Sequence, residues 1–118
     1  MKRIILLAIG IVLMASVSWA AIINLKATWT PNTETDMAGY NLYRTDGTRL
    51  KLNPALIPHS PVLPYLFSVT VPDNSSGTMT FVLTAVDTSG NESADSITAS
   101  KSYDLIPPVK PISLSISF

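Results

Sequence analysis

The sequence predicts an all-β domain, a sandwich of about seven antiparallel strands that follows an N-terminal signal peptide helix. The clearest observation is the stretch 79–85, in which every odd-numbered residue is apolar. Alternation with period two is typical of a strand that buries one face. Five turn-forming residues follow at 87–91, similar alternating stretches recur along the chain, and no helical periodicity appears after the first twenty residues.

Composition excludes several classes of function. The 118 residues suffice for one domain, and the eight basic and eight acidic side chains give a formal net charge of zero without any run of like charges. Nucleic acid is therefore not an expected partner, because such sites need a basic patch. The chain has no cysteine, so disulfides, thiolate metal sites and thiol nucleophiles are excluded.

Residues 1–20 have the pattern of a secretory signal peptide. Lys2 and Arg3 precede an almost wholly apolar run, and Ser18 and Ala20 are the small residues expected before a cut after Ala20. The apolar run is short for a membrane span, although an uncleaved anchor is the alternative. The prediction is a secreted, periplasmic or cell-surface protein whose domain covers 21–105.

The first half of the domain predicts two strands and a hairpin. Alternation over 23–29 indicates a half-buried strand, and Gly39 opens a second strand that turns Tyr40 and Leu42 toward the core. The Asp46-Gly47 pair then predicts a tight turn with positive φ, followed by a short basic edge strand over 48–52.

The second half begins with a proline-rich stretch. Four prolines over 54–64 exclude a central strand and indicate an extended connection along the sandwich edge. Alternating strands are predicted at 65–71 and, after a turn, over the stretch from Met79. A polar outer strand is predicted at 96–103.

The last residues form a distinct region, 106–118. Three prolines make 106–111 a stiff spacer, and 112–118 then alternates isoleucine, leucine or phenylalanine with serine, the pattern of an amphipathic strand. This strand can lie antiparallel to the last strand, which we favour because such neighbours are common. It can also fill the edge beside the first strand, or add to another chain.

Three segments together resemble the fibronectin type III family. They are Leu25–Trp29, Asp36–Tyr43 and Leu83–Ser93, which are similar in order and spacing to the family's Trp strand, its Gly-Tyr strand and its strand-turn segment ending in Ser-Gly-Asn-Glu-Ser. The similarity covers most of the chain after the signal peptide, about 25–103. It implies an immunoglobulin-like, disulfide-free sandwich.

The resemblance also implies which residues form the core and which form a binding pole. The implied core residues are Trp29, Tyr40, Leu42, Phe67, Phe81, Leu83 and Ala85. Loops 32–36 and 87–92 would meet at one end of the sandwich, where binding loops occur in this architecture. The candidate binding residues there are Glu34, Asp36, Asp87, Ser89, Asn91 and Glu92.

Two departures from the family pattern matter. Met79 stands where the family often has a tyrosine that bonds to the backbone, so that corner is expected to be weaker. The chain before Ile23 is also too short to supply the family's first strand, so the edge beside the Trp strand is expected to be open.

No residue pattern argues for catalysis, a metal or a cofactor. His59 is the only histidine, and it is expected to be a solvated loop residue. Oxygen ligands at the loop pole could hold calcium, but turn-stabilising hydrogen bonds are the simpler interpretation.

The function predicted is therefore that of a non-catalytic binding or scaffolding module with a protein or polysaccharide ligand at the loop pole. The alternative is a structural subunit that assembles by strand addition through the open edge or residues 112–118. No membrane contact is expected after signal cleavage.

Overall fold

A computed structural model describes residues 19–61 and 64–118. Most of the predicted signal peptide, and with it the predicted helix, lies outside the described residues. No helix that could cross a membrane occurs in the described ranges. The described part of the chain contains seven strands, at the following positions: β1 Ala20–Ala27, β2 Met37–Arg44, β3 Leu50–Lys51, β4 Ile57–Pro58, β5 Tyr65–Pro72, β6 Ser76–Asp87 and β7 Ala99–Asp104.

The strands form two antiparallel sheets, which confirms the predicted all-β class. The smaller sheet pairs β1 with β5 over eight residues, from Ala20 opposite Pro72 to Ala27 opposite Tyr65. The larger sheet has the order β3-β2-β6-β7, and β4 also pairs with β2. Among the described strands, β1 and β5 pair only with each other and β7 pairs only with β6, so both edges of the smaller sheet and the β7 edge of the larger sheet are open.

The two sheets share one hydrophobic core. Trp29, just after β1, meets the ring of Tyr40 edge-on at 5.1 Å between centroids, and Phe67 of β5 meets Phe81 of β6 at 5.6 Å. Tyr40, Leu42 and Phe81 are buried in this core. The other four implied core residues, Trp29, Phe67, Leu83 and Ala85, are partly buried and pack against it. Facing sheets around one core fit a β-sandwich.

Met79, where the sequence resemblance implies a tyrosine in other proteins, is completely buried. Its side chain has no solvent exposure and belongs to the core cluster. A thioether has no hydroxyl, so it packs there without the side-chain hydrogen bond to backbone that a tyrosine would make.

The Asp46-Gly47 turn differs from the prediction. Strands β2 and β3 do form a hairpin, with Arg44 opposite Leu50, but Gly47 does not adopt positive φ and the return strand has only two residues. The Asp46 carboxylate instead accepts hydrogen bonds from the Arg44 guanidinium at 2.9 and 3.0 Å and from the Thr80 amide at 3.2 Å. Side-chain bonds to the neighbouring strands thus take the place of a tight turn.

The proline-rich connection is more deeply integrated than the sequence indicates. Ile57 in β4 is buried in the core. Asn53 is 1% exposed and accepts a hydrogen bond from the Leu42 amide at 2.7 Å. Its amide nitrogen donates to Asn41 Oδ1 at 2.8 Å and to the Ala55 carbonyl at 3.0 Å. The connection is therefore attached to the centre of the larger sheet.

The chain after β6 corrects two predictions. The last strand covers Ala99–Asp104 instead of 96–103. Residues 105–118 form no strand, so the segment predicted to extend the sheet beside β7 does not do so within this chain. Leu105 is tied to the body of the domain by its amide, which donates to the Ser75 carbonyl at 2.8 Å.

Candidate functional site

The two predicted loops do meet at one pole. The Thr88 amide donates to the Asp36 carbonyl at 2.8 Å. The Asp87 carboxylate, however, is engaged within its own turn: it accepts from the amides of Ser89 and Asn91 at 2.9 and 2.8 Å and from the Asn91 side chain at 2.9 Å. These hydrogen bonds, first of all those from Asn91, lower the pKa of Asp87. The carboxylate therefore stabilises the turn.

The Glu92 carboxylate also stabilises the fold. Its Oε1 atom accepts hydrogen bonds from Tyr43 Oη at 2.5 Å, Thr84 Oγ1 at 2.6 Å and Asn41 Nδ2 at 3.2 Å. The bonds from Thr84 and Tyr43 are the main reasons why the pKa of Glu92 is lowered, and the same contact raises the pKa of Tyr43. Glu92 thus lies over the outer face of β2 and β6 and connects the following segment to them.

Of the remaining pole residues, Glu34, Asp36 and Ser89 are exposed on the loops. Within residues 19–61 and 64–118, no three carboxylate or imidazole groups come close enough together to hold a metal ion. The pole has exposed polar groups but no preformed cation site in the part of the chain that the structure describes.

His59 is not the solvated loop residue that was predicted. It is half-buried, and its Nδ1 atom lies 2.9 Å from the Tyr40 hydroxyl, which also accepts the Asn32 amide at 2.9 Å. The pairing of β4 with β2 brings His59 to this position, and a pattern of prolines alone does not reveal that pairing. His59 therefore closes a structural hydrogen-bond chain at the buried tyrosine.

A concave surface forms a groove between β1 of the smaller sheet and β7 of the larger sheet. It has a volume of about 930 Å³ and is mainly apolar. One wall is formed by 24–30, from β1 and the residues after it, and the other by 96–101, at the start of β7. Its apolar lining includes Leu25, Ala27, Leu42, Phe67, Phe81 and Ile97.

The groove lies where β1 has no second neighbour among the described strands. Leu42 and Phe81 belong to the core cluster, yet they also line the groove, so the core is open on this side. Ile97 is 94% exposed at the rim. The sequence prediction of an open edge beside β1 agrees with this arrangement. It did not identify Ile97 or Ala99 as a second wall, although their alternation with serine was a usable signal.

One polar atom beside the groove has no partner among the described residues. Trp29 Nε1 is buried and makes no hydrogen bond there. A buried donor without an acceptor is costly, which makes Trp29 an imperfect fit to this face of the core. Comparison with family models, curated proteins and solved structures gave no match.

Proposed function

We propose that this chain is an exported, fibronectin type III-like domain without disulfides that acts as a non-catalytic binding and assembly module. It takes up an extended polypeptide segment in the groove beside β1. The observation that carries the proposal combines two features: the second edge of β1 has no neighbour among the described strands, and beside it lies an apolar groove whose floor is core side chains. A free edge offers backbone donors and acceptors for an added strand.

The chemistry of the groove favours a strand over other ligands. An added strand pairs its backbone with β1 and inserts every second side chain toward Leu42 and Phe81. Full burial of one such apolar side chain contributes about 1.5–3 kcal/mol before the cost of ordering the segment. Alternating apolar residues are therefore the sequence feature that the groove should select.

The groove lining supports a binding role without catalysis. Among the described residues that line it, the titratable side chains are Lys26 and Lys101. General acid–base catalysis, or a nucleophile with an activating base, would need a carboxylate, an imidazole or another group whose pKa is shifted. The lining supplies none of these.

A protein or polysaccharide ligand at the loop pole is the weaker proposal. Asp87 and Glu92 already use their carboxylates to stabilise the turn and the sheet. A ligand there would have to compete with these internal hydrogen bonds or rely on Glu34, Asp36 and Ser89 alone.

A peptide titration tests the strand-binding proposal. The probe is a heptapeptide of alternating isoleucine and serine, and its control has the same composition with the isoleucines contiguous. We expect the alternating peptide alone to slow hydrogen exchange of β1 amides and of those at the start of β7. Equal effects of both peptides, protection only in loops 32–36 and 87–92, or no protection would each contradict the proposal.

Export is tested on the same preparation. We expect the protein to be recovered from the periplasm or medium with Ala21 as its first residue, as read by intact mass. Recovery in the membrane fraction with the apolar run retained would show that residues 1–20 act as an anchor.

A further inference from the structure

We propose that the segment taken up by the groove is Ile112–Phe118 of a second copy of this chain. This inference rests on the strand-binding function proposed above and names its partner. The structure contains both halves of the contact: β1 has no second neighbour among the described strands, and the apolar segment 112–118 pairs with no strand in the described part of its own chain.

The segment fits the groove in pattern and length. Its apolar side chains, Ile112, Leu114, Ile116 and Phe118, are each at least 84% exposed, and serines separate them. In an extended strand all four face the same side. Seven residues match the free edge of β1, which has eight. Residues 111–118 carry no charged side chain, so nothing in the segment repels the lysines at the groove.

The segment does not lie antiparallel to β1 in its own chain, and the point where it leaves the domain makes that position hard to reach. The start of β1 and the end of β7 both lie beside the 72–76 turn: Ala21 pairs with Val71, and the Leu105 amide donates to the Ser75 carbonyl. The segment therefore leaves the domain where β1 begins. To run antiparallel to β1, Ile112 would first have to reach the opposite end of that strand.

The spacer has almost no length to spare for that path. Leu105 is anchored, and the seven steps from it to Ile112 span about 22 Å at the ~3.1 Å rise of an extended proline-rich segment. The part of β1 that remains after the proposed cleavage, Ala21–Ala27, spans about 20 Å at ~3.3 Å per residue, before any sideways displacement. The parallel alternative requires a reversal of direction within a spacer that contains Pro107, Pro108 and Pro111, which stiffen it. The segment of a second copy is subject to neither the length limit nor the reversal of direction.

The lysines at the rim agree with a selective contact. Lys26 and Lys101 line the two sides of the groove, and charged residues at a strand edge discourage indiscriminate pairing. An uncharged segment that gains four inserted apolar side chains can still bind there. The lysines thus discourage non-specific aggregation at the groove, while an uncharged strand with alternating apolar side chains can still bind.

A complementation experiment tests the inference on chains that keep the complete domain. The donor is the full chain with Ile97→Asp and Ala99→Asp, which leaves 112–118 intact and places charge in the groove wall at exposed positions. The acceptor is the full chain with Leu114→Asp and Ile116→Asp. The control donor carries Leu66→Asp, an exposed apolar residue of β5 that does not line the groove.

We expect the unmodified chain to form oligomers whose size rises with concentration in analytical ultracentrifugation, as mass action requires. Donor and acceptor alone should be monomeric, and their mixture should give a one-to-one complex. The Leu66→Asp chain should associate like the unmodified chain. The substitutions in the segment should weaken self-association at least about tenfold.

Three results would overturn the inference. In the first, the unmodified chain is a monomer whose β1 amides are protected from hydrogen exchange at every concentration, and this protection is lost in the acceptor chain. That result would mean that the segment folds back onto the groove of its own chain. Another is equal self-association of the unmodified and acceptor chains, which places the contact elsewhere. The third is an acceptor that binds the alternating heptapeptide but not the donor; in that case strand binding stands and only the partner is wrong. If the acceptor binds neither the heptapeptide nor the donor, the proposed strand-binding function is itself contradicted.

Discussion

Asn53 connects the proline-rich stretch to the centre of the larger sheet through three hydrogen bonds. It follows β3 and precedes a proline, so the sequence presents it as an ordinary loop residue. In the structure it is almost fully buried and satisfies the amide of Leu42, a residue of the central strand β2. The Asn53 side chain thus accepts the hydrogen bond from the Leu42 amide in place of a backbone carbonyl.

Asn53→Ala should therefore destabilise the domain. It leaves the buried Leu42 amide without an acceptor, which costs about 1–3 kcal/mol. Urea denaturation followed by tryptophan fluorescence measures the loss, and Asn24→Ala, at an exposed position of β1, is the matched control. A loss no larger than that of the control would show that the Leu42 amide finds another partner.

Gly39 is constrained by the pairing of β4 with β2. A Cβ atom at Gly39 would lie 2.2 Å from the Ile57 carbonyl oxygen, whereas one at Gly47 would meet nothing within 4 Å. Gly39→Ala should cost about 1–3 kcal/mol because the backbone of β4 must move. Gly47→Ala should leave the denaturation midpoint nearly unchanged, and similar midpoints for both variants would contradict the close approach.

At the scale of elements, segment 92–98 takes the place of a regular strand beside the end of β6. Its backbone meets β6 through the amides of Ser93 and Ser96, which donate to the carbonyls of Ala85 and Leu83 at 2.8 Å. Glu92 fixes one end, and Asp95 pairs with the Arg49 guanidinium through two bonds of 2.8 Å. Side chains therefore hold an irregular segment that forms part of the groove wall.

The lowered pKa of Glu92 gives this attachment a pH dependence. Its contribution to stability is present above the pKa of an unfolded glutamate, about 4.3, and is lost as the pH falls through the lower pKa of the folded state. In Glu92→Gln, the free energy of unfolding should therefore decrease less between neutral pH and pH values below 4 than it does in the unmodified chain. Denaturant melts along a pH series measure this, with Glu34→Gln as the control for net charge; parallel curves for Glu92→Gln and the unmodified chain would refute it.

The sequence identifies the long strands well because their signal is local. Burial alternates along β1 and β5 as predicted, and in β6 Met79 and Phe81 face the core as predicted. The opposite face of β6 is also buried, at Val82 and Thr84, and β2 buries four consecutive residues, 39–42.

The sequence pattern fails where a partner distant in sequence decides the structure. Strand β4, the burial of Asn53 and the contact of His59 with Tyr40 all depend on a pairing with β2 that prolines conceal.

The same distinction explains the site. The sequence predicts an open edge beside β1, and β1 has no second neighbour among the described strands. The groove needs a second wall, and the burial of its floor depends on the packing of two sheets. The loop pole shows the opposite case: its residue types suggest a ligand, whereas the geometry of Asp87 and Glu92 directs their carboxylates to the protein itself.

At the scale of the whole molecule, contacts between the two sheets hold the domain together in the absence of cysteine. Trp29 provides one of these contacts, through the ring of Tyr40. Trp29→Ala should lower the free energy of unfolding by about 3–5 kcal/mol, as large-to-small core changes do. Denaturant melts followed by circular dichroism measure it, because the variant loses the fluorescent indole. A loss below about 1 kcal/mol would show that the sheets do not depend on this contact.

The stiffness of residues 106–111 has a consequence for any assembly built through the groove. A segment that is both firmly seated at one end and rigid along its length holds successive domains at a nearly constant separation. Filaments of such copies would show a regular axial repeat in electron micrographs. Each proline added to the spacer would lengthen that repeat by about 3 Å, the rise of one residue in an extended proline-rich chain.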